Sequence, residues 1–192
     1  MDLSDNNIEE IKENTLNRLP SVIEINFEYN RINEVEENSV PRSVEVLNLG
    51  SNRLNIINPK MIENLPNLKS INIKNNKLRT VPENVFKNNP MLENVLLGGN
   101  QIQSMSPKTY ENLPNLKIVD LDENICVSGI YGQSAFRAMK SDISRNCDPV
   151  KNDRREDPEE MRRNKYDYNV NTIDTFEDEN LQTRIVTMVD RT

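Results

Sequence analysis

Residues 44–54 read VEVLNLGSNRL, and residues 68–78 read LKSINIKNNKL. Both stretches follow one frame, apolar-x-x-apolar-x-apolar-x-x-Asn-x-apolar, in which x is any residue. The frame returns at residues 22–32, 92–102 and 116–126, and in part at the start of the chain. Its asparagine recurs in steps of 24, 22, 24, 24 and 24 residues, at Asn6, Asn30, Asn52, Asn76, Asn100 and Asn124. A fixed period of this size predicts a solenoid of stacked structural repeats.

Each frame predicts a short strand followed by a return segment. The apolar residues alternate with period two, as in Ile25-x-Phe27 or Leu47-x-Leu49, so one face of the strand is buried and the other is free. One repeat cannot bury its own apolar face, whereas stacked repeats share a continuous core. The asparagine follows the strand, where its side chain can bond backbone groups that the turn leaves unpaired. We therefore predict a structural ladder of asparagines rather than a row of ligand contacts.

The return segments carry a second apolar pattern. An apolar residue lies ten positions after the asparagine in four repeats, at Leu16, Ile62, Phe86 and Tyr110. A Leu-Pro pair follows in three repeats, and its proline ends any helical turn and favours extended geometry before it. In one copy Asn89 replaces the leucine, so an apolar residue is missing there. The repeat that begins at Asn30 is two residues short, which predicts a tight convex loop without a helical turn.

This frame resembles the leucine-rich repeat family, and in particular its 24-residue typical type, which is found mostly in extracellular proteins. The resemblance covers about residues 1–147. It implies an α/β solenoid, a horseshoe with a parallel sheet on the concave side and an irregular or short helical convex side. It further implies a short C-terminal helical cap. We expect about six repeats in residues 1–124, the first incomplete, a cap at residues 125–147, and a tail at residues 148–192.

The end of the repeat region resembles the cysteine-bearing C-terminal cap of extracellular members. A glycine-bearing turn is expected at residues 129–132, and Ser134 is expected to be the N-cap of a helix. Phe136, Met139 and Ile143 then share one helical face. The resemblance implies a disulfide bond between Cys126 and Cys147. The alternative is two free thiols in a cytosolic protein. The two-cysteine form of this cap is common in invertebrate members of the family, which favours an invertebrate origin.

The chain opens inside a repeat, with Met1 at an apolar strand position and no cap or signal peptide before it. Because an open solenoid end exposes core, we expect a fragment of a longer extracellular protein whose signal peptide is missing by truncation. The alternative is an intact protein with a bare end.

Composition narrows the classes of function. The net charge is −7, which disfavours nonspecific nucleic-acid binding, and no apolar stretch approaches the length of a membrane span. The chain has no histidine. Residues 148–192 are highly charged and are expected to be mostly disordered. Within them, Ile185–Val189 is a short apolar run, which either docks on a partner or on the cap, or is frayed chain.

The frame points to binding rather than to catalysis. Asp120, Asp122 and Glu123 lie close together, but no histidine or nucleophile motif accompanies them, so we predict no catalytic, cofactor or metal site. The free face of the sheet offers an aromatic residue, three apolar residues and a lysine as protein-binding candidates, namely Tyr29, Val46, Leu96, Ile118 and Lys74. Aromatic residues are enriched in binding hot spots, although single surface apolar residues are ordinary.

The leading hypothesis is therefore a protein-binding recognition module of a secreted or cell-surface protein, with the ligand on the concave face. A cytosolic adaptor with free thiols and a truncated product without a competent site are the alternatives. The ligand and the oligomeric state stay open.

Overall fold

The computed structural model describes residues 1–16, 19 and 21–147. The expectations for the charged tail, including the run Ile185–Val189, lie outside the described residues. In chain order the strands are β1 (Glu10–Ile11), β2 (Glu24–Asn26), β3 (Glu34–Val35), β4 (Val46–Asn48), β5 (Ser70–Asn72), β6 (Thr80–Val81), β7 (Asn94–Leu96), β8 (Ser104–Met105), β9 (Ile118–Asp120) and β10 (Ile130–Gly132). The α-helices are α1 (Pro59–Ile62) and α2 (Phe136–Asn146), and 3-10 helices occupy Pro107–Tyr110 and Gln133–Ala135.

The main sheet has one strand from each complete frame. Strands β2, β4, β5, β7 and β9 are parallel neighbours in that order, and each pairs in register with the next, as Ile25 with Leu47 and Leu47 with Ile71. The predicted parallel sheet is therefore confirmed for five strands. The predicted strand near Leu3 is reduced to an isolated parallel bridge between Asp2 and Asn26, although Leu3 N–H still donates to Asn26 O at 2.8 Å.

The core runs along the inner face of this sheet. The central residue of every parallel strand is fully buried, at Ile25, Leu47, Ile71, Val95 and Val119. A second row two residues later is also buried, at Phe27, Leu49, Ile73, Leu97 and Leu121. Each side chain packs between its equivalents in the neighbouring repeats, so the core is continuous although each repeat is short.

The asparagine ladder is present and joins neighbouring repeats. Asn76 is buried, with 6% of the residue exposed. Its Nδ2 donates to Leu49 O of the preceding repeat at 2.9 Å and to Ile73 O and Lys74 O of its own turn. Its Oδ1 accepts from Leu54 N–H at 2.9 Å. Asn52, Asn100 and Asn124 repeat this arrangement. The ladder thus satisfies backbone groups that the turns leave buried, as predicted.

The turn before each ladder asparagine uses one unusual backbone conformation. The preceding residue has a positive φ in every repeat, at Asp5, Tyr29, Ser51, Asn75, Gly99 and Glu123. At Gly99 the requirement is also steric, because a Cβ there would collide with the Asn75 side chain. Elsewhere the chain accepts a non-glycine residue in the left-handed region, which is uncommon and costs conformational energy.

The convex side is irregular. Short strands pair in parallel as β1 with β3 and as β6 with β8. The short repeat after Asn30 returns through β3 and turns with no helix, as predicted. The return after Asn52 contains α1 and the return after Asn100 contains the 3-10 helix Pro107–Tyr110, whereas the return after Asn76 has only β6 and turns. Asn89, in the position of the missing leucine, is fully buried, and its Nδ2 donates to Ile62 O and Leu65 O at 2.8 and 2.9 Å. Two hydrogen bonds to the preceding repeat therefore replace the apolar contact of the missing leucine.

The cap differs from the prediction in two places. The expected turn at residues 129–132 is largely strand β10, which pairs antiparallel with β9, because the chain reverses and its backbone groups find partners on the last repeat. Ser134 is not a helix N-cap: it lies inside the 3-10 helix Gln133–Ala135, and α2 begins with no side-chain cap bond. Met139 and Ile143 are fully buried, as predicted, with Phe136 partly buried against them.

A disulfide bond joins Cys126 to Cys147 and ties the end of α2 to the last ladder turn. Tyr131, on the inner side of β10, is partly buried within the same cap, and burial, with help from Asp142 and Asp122, raises its pKa to about 12. Its hydroxyl therefore stays neutral at physiological pH, and it donates to Ser128 O at 3.4 Å. The cap covers the core of the last repeat.

Candidate functional site

The concave face is the surface of the main sheet that points away from the core. Strand pairing arranges its side chains in two rows that cross the repeats. The outer row contains Glu24, Val46, Ser70, Asn94 and Ile118, and the middle row contains Asn26, Asn48, Asn72, Leu96 and Asp120. A third row lies two residues further on, in the turns, at Glu28, Gly50, Lys74, Gly98 and Asp122. Successive strands lie about 4.8 Å apart, so the face is a regular grid.

The structure places four of the predicted binding residues in these rows and Tyr29 in the turn that follows β2, and it does not bring all five together. Tyr29 is 59% exposed at one end, in a left-handed turn. Val46 and Ile118 are both half-buried in the outer row, where Ser70 and Asn94 separate them. The apolar candidates therefore form separate anchor points rather than one continuous patch.

Leu96 is the clear departure from the sequence-based expectation. It was expected to be exposed, but only 6% of it is accessible. Its middle-row neighbours are Asn72 on one side and Asp120 on the other. An ion pair between Lys74 and Asp120 spans the strand that carries Leu96, because these residues belong to the repeats on either side of it. With 6% of its surface accessible between Asn72 and Asp120, Leu96 offers little area to a ligand.

Lys74 is held by that ion pair. Its Nζ lies 2.7 Å from Asp120 Oδ2, and the Asp120 side chain is 4% exposed while that of Lys74 is 37% exposed. Asp120 Oδ1 also accepts from Asp122 N–H at 2.9 Å. The pair needs a glycine between its members, since a Cβ at Gly98 would lie 2.8 Å from Asp120 Oδ1. Lys74 therefore closes a bridge across the concave face instead of presenting a free ammonium group.

Replacing Lys74 tests the burial of this bridge. Lys74→Met should destabilise the chain by about 2 kcal/mol, because it leaves the buried Asp120 carboxylate without its counter-charge. Lys69→Met is the matched control, since Lys69 Nζ also lies 2.7 Å from a carboxylate, Glu45 Oε2, but both side chains are more than a third exposed. That change should cost less than about 1 kcal/mol. If the two variants had equal urea midpoints, the Lys74–Asp120 ion pair would contribute no more to stability than an exposed pair.

Sequence reasoning missed one residue of this face. Strand β10 places Ile130 opposite Asp120, and Ile130 is 47% exposed. Gly132 lies opposite Ile118 and has open space where a side chain would be. Ile130 and Ile118 thus lie diagonally across two paired strands, at a separation that side chains can bridge. The residue was assigned to a turn, and only the alternation of Ile130 with Tyr131 hinted at a strand.

Charge on the concave face is mostly negative. Glu24, Glu28 and Asp122 contribute carboxylates that have no salt bridge among the described residues, whereas Lys74, the cation of these rows, is paired. Asn48 Nδ2 donates to Glu28 Oε2 at 3.2 Å, and Ser128 Oγ donates to Asp122 Oδ1 at 2.6 Å. These bonds fix the Glu28 and Asp122 carboxylates in position.

The described residues contain no cluster of three or more histidine, cysteine, aspartate or glutamate side chains that could hold a metal ion. Among them there is also no helix that is long and apolar enough to span a membrane. Two open surface depressions, of about 400 and 440 Å³, lie against the cap on the convex side, one beside Met105 and the other beside Tyr110. The predicted binding residues line neither of them.

Comparison with known families agrees with this architecture. Residues 42–102 match the family model described as leucine rich repeat. With the stacked frames and the parallel sheet, the match supports a leucine-rich repeat fold for the part of the chain that it covers. A comparison with curated proteins gave no match.

Proposed function

We propose that this chain is the recognition module of a secreted or cell-surface protein and that it binds a protein ligand on its concave face. The observation that carries the proposal is the outward surface of the main sheet, on which strands carry exposed Ile130 and half-buried Ile118, while exposed Tyr29 lies in the turn after β2. Tyr29 and Ile130 contribute little to the core, and their backbones are fixed by the turn after β2 and by strand β10. Rigid anchors lose little entropy when a ligand binds.

The charge of the face defines the kind of ligand. Glu24, Glu28 and Asp122 are carboxylates without a salt bridge among the described residues. A ligand that presents lysine or arginine side chains beside an apolar segment would complement them, and electrostatic complementarity supports specificity and association rate. The fixed carboxylates thus favour a basic protein surface.

The disulfide bond supports an oxidising compartment, because structural disulfides persist in extracellular proteins and are rare in the cytosol. Mass spectrometry of the protein from its natural source, without reductant, tests this point. A mass lower by two hydrogens than that of the reduced chain is expected. A fully reduced protein would favour the cytosolic adaptor.

Loss of the anchors should weaken binding without weakening the fold. Tyr29→Ala combined with Ile130→Ala should weaken the binding free energy by at least about 2 kcal/mol, the size of effect expected when a hot spot is removed. Capture of the protein ligand from extracellular fluid or membrane extract should fall accordingly. The melting temperature should change little, since both residues are exposed. Quantitative mass spectrometry of the captured proteins is the measurement.

The control is Ile23→Ala combined with Ile56→Ala, which removes two similarly exposed apolar side chains, 56% and 53% accessible, outside the concave rows. These changes should leave capture intact. A ligand that is lost with the control but kept with the concave variant would overturn the proposal. A ligand that is lost only when residues 148–192 are deleted would assign binding to the tail.

A further inference from the structure

A second surface of the solenoid carries positive charge in a protein whose net charge is −7. It lies just after the asparagine ladder, where each repeat reads Asn-x-apolar-x. The apolar residue is buried in all of the inner repeats, as Leu54 at 1% and Leu78 at 0% exposure show, and the two residues beside it point outward and are exposed. We call these outward residues of four consecutive repeats the basic flank.

The basic flank is a two-row array. Its cations are Arg31, Arg53, Lys77 and Arg79, and its other members are the amides Asn33, Asn55, Gln101 and Gln103. Backbone bonds hold the rows in register: Arg53 N–H donates to Ile32 O and Lys77 N–H to Leu54 O, both at 2.8 Å. The spacing between repeats is therefore about 5 Å, and the array extends for about 15 Å.

The cations of the basic flank have no salt-bridge partner among the described residues. Among the described residues, none of the four has a carboxylate within 4 Å, while Lys12, Lys60, Lys69, Lys74 and Lys117 each form a salt bridge. The flank itself contains no carboxylate, and Glu9 and Ile125 mark its two ends. Four unpaired cations in adjacent repeats concentrate positive potential on one side of an acidic protein.

We propose that the basic flank binds an acidic polysaccharide, a linear sugar polymer that carries sulfate or carboxylate groups. Guanidinium groups bond such anions through two parallel N–H donors, and a lysine adds a point charge. The amides of Asn33, Asn55 and Gln101 both donate and accept, and so match sugar hydroxyls between the anionic groups. A run of acidic side chains offers only acceptors and would leave the amide oxygens unmatched.

Other polyanions fit the array less well. The eight positions include no aromatic side chain on which a nucleic-acid base could stack. They also include no apolar side chain that could enter a lipid layer. The inference does not depend on the concave face, which lies on the other side of the asparagine ladder.

Immobilised heparin, a sulfated polysaccharide, is the probe, and the full chain with its disulfide intact is the protein. We expect retention at about 0.15 M NaCl, with elution as added salt screens the charges. Arg53→Gln combined with Lys77→Gln keeps polar side chains at both positions and introduces the residue found at position 101. This variant should bind heparin about tenfold more weakly, which corresponds to about 1.4 kcal/mol.

Lys87→Gln combined with Lys108→Gln is the matched control, because both lysines are exposed, lack a salt bridge among the described residues and give the same change in net charge. It should change the affinity less than twofold. Melting curves of both variants confirm that they fold. Failure of the wild-type chain to bind heparin at that salt, or equal losses in the two variants, would overturn the proposal, as would equally tight binding of polyglutamate. Tyr29→Ala with Ile130→Ala should retain heparin, so the two surfaces are tested separately.

Discussion

Asn76→Ala should destabilise the chain by about 3 kcal/mol, nearly as much as the loss of a core leucine. The side chain makes four hydrogen bonds, two to the preceding repeat and two within its own turn. The carbonyl of Leu49 also accepts from Asn52, and that of Ile73 also accepts from Asn100. The buried N–H of Leu54 has Asn76 Oδ1 as its partner and would be left unpaired. The loss of stability therefore comes from the unpaired N–H of Leu54 and from the three other hydrogen bonds that the substitution removes.

Asn6→Ala is the matched control for the ladder. Asn6 holds the same frame position, but it is exposed, and its Nδ2 donates only within its own turn, to Leu3 O and Ser4 O. We expect a loss of less than about 1 kcal/mol, since water replaces the bonds of an exposed group. The measurement is urea unfolding of the two variants and the wild type, analysed with one shared dependence of the unfolding free energy on urea concentration. Equal losses at positions 6 and 76 would refute the view that the ladder acts by joining buried repeats.

Removal of the disulfide should loosen the cap selectively. Cys126 and Cys147 are 21 residues apart in sequence, and closing a loop of that length stabilises the folded chain by about 3 kcal/mol in the chain-entropy model. Solenoid contacts are made between neighbours, so the loss should fall on α2 and β10 and leave β4 and β5 protected. Hydrogen exchange of Cys126→Ala combined with Cys147→Ala should show fast exchange in the cap alone.

Reductant provides the control for this prediction. The wild-type chain with reductant should match the double variant, and the double variant should not respond to reductant. A uniform loss of protection in all repeats would show instead that the cap and the solenoid unfold as one unit. The same experiment with Met139→Ala, which removes a fully buried side chain but keeps the disulfide, separates packing from cross-linking.

The parts of the fold that followed from the sequence are those that repeat. The period of the asparagines gave the parallel register, and the two-residue alternation gave the buried rows at Leu47 and Leu49. Repetition makes these predictions firm because each repeat is an independent sample of one environment. The ladder role of Asn76 followed in the same way, since its position at the end of a strand is the same in every turn.

The sequence-based predictions that were wrong concern positions whose surroundings are not repeated along the chain. Leu96 occupies an outward position by the frame, but it is only 6% exposed between Asn72 and Asp120 of the neighbouring repeats. Ser134 matched a capping pattern, but the chain has already entered a 3-10 helix there. The basic flank was overlooked because its members are two residues apart in each repeat and align only when the repeats stack.

The sequence by itself determined the class of the fold, the register of its strands and the asparagine ladder, because all of these follow from local periodicity. Only the tertiary structure decided which outward side chains are accessible and how the cap meets the last repeat. It made Tyr29 and Ile130 exposed, covered Leu96, bonded Lys74 to Asp120 and aligned four cations on one flank. These outcomes depend on side chains that are 22 to 46 residues apart in the chain and about one or two strand spacings apart in space.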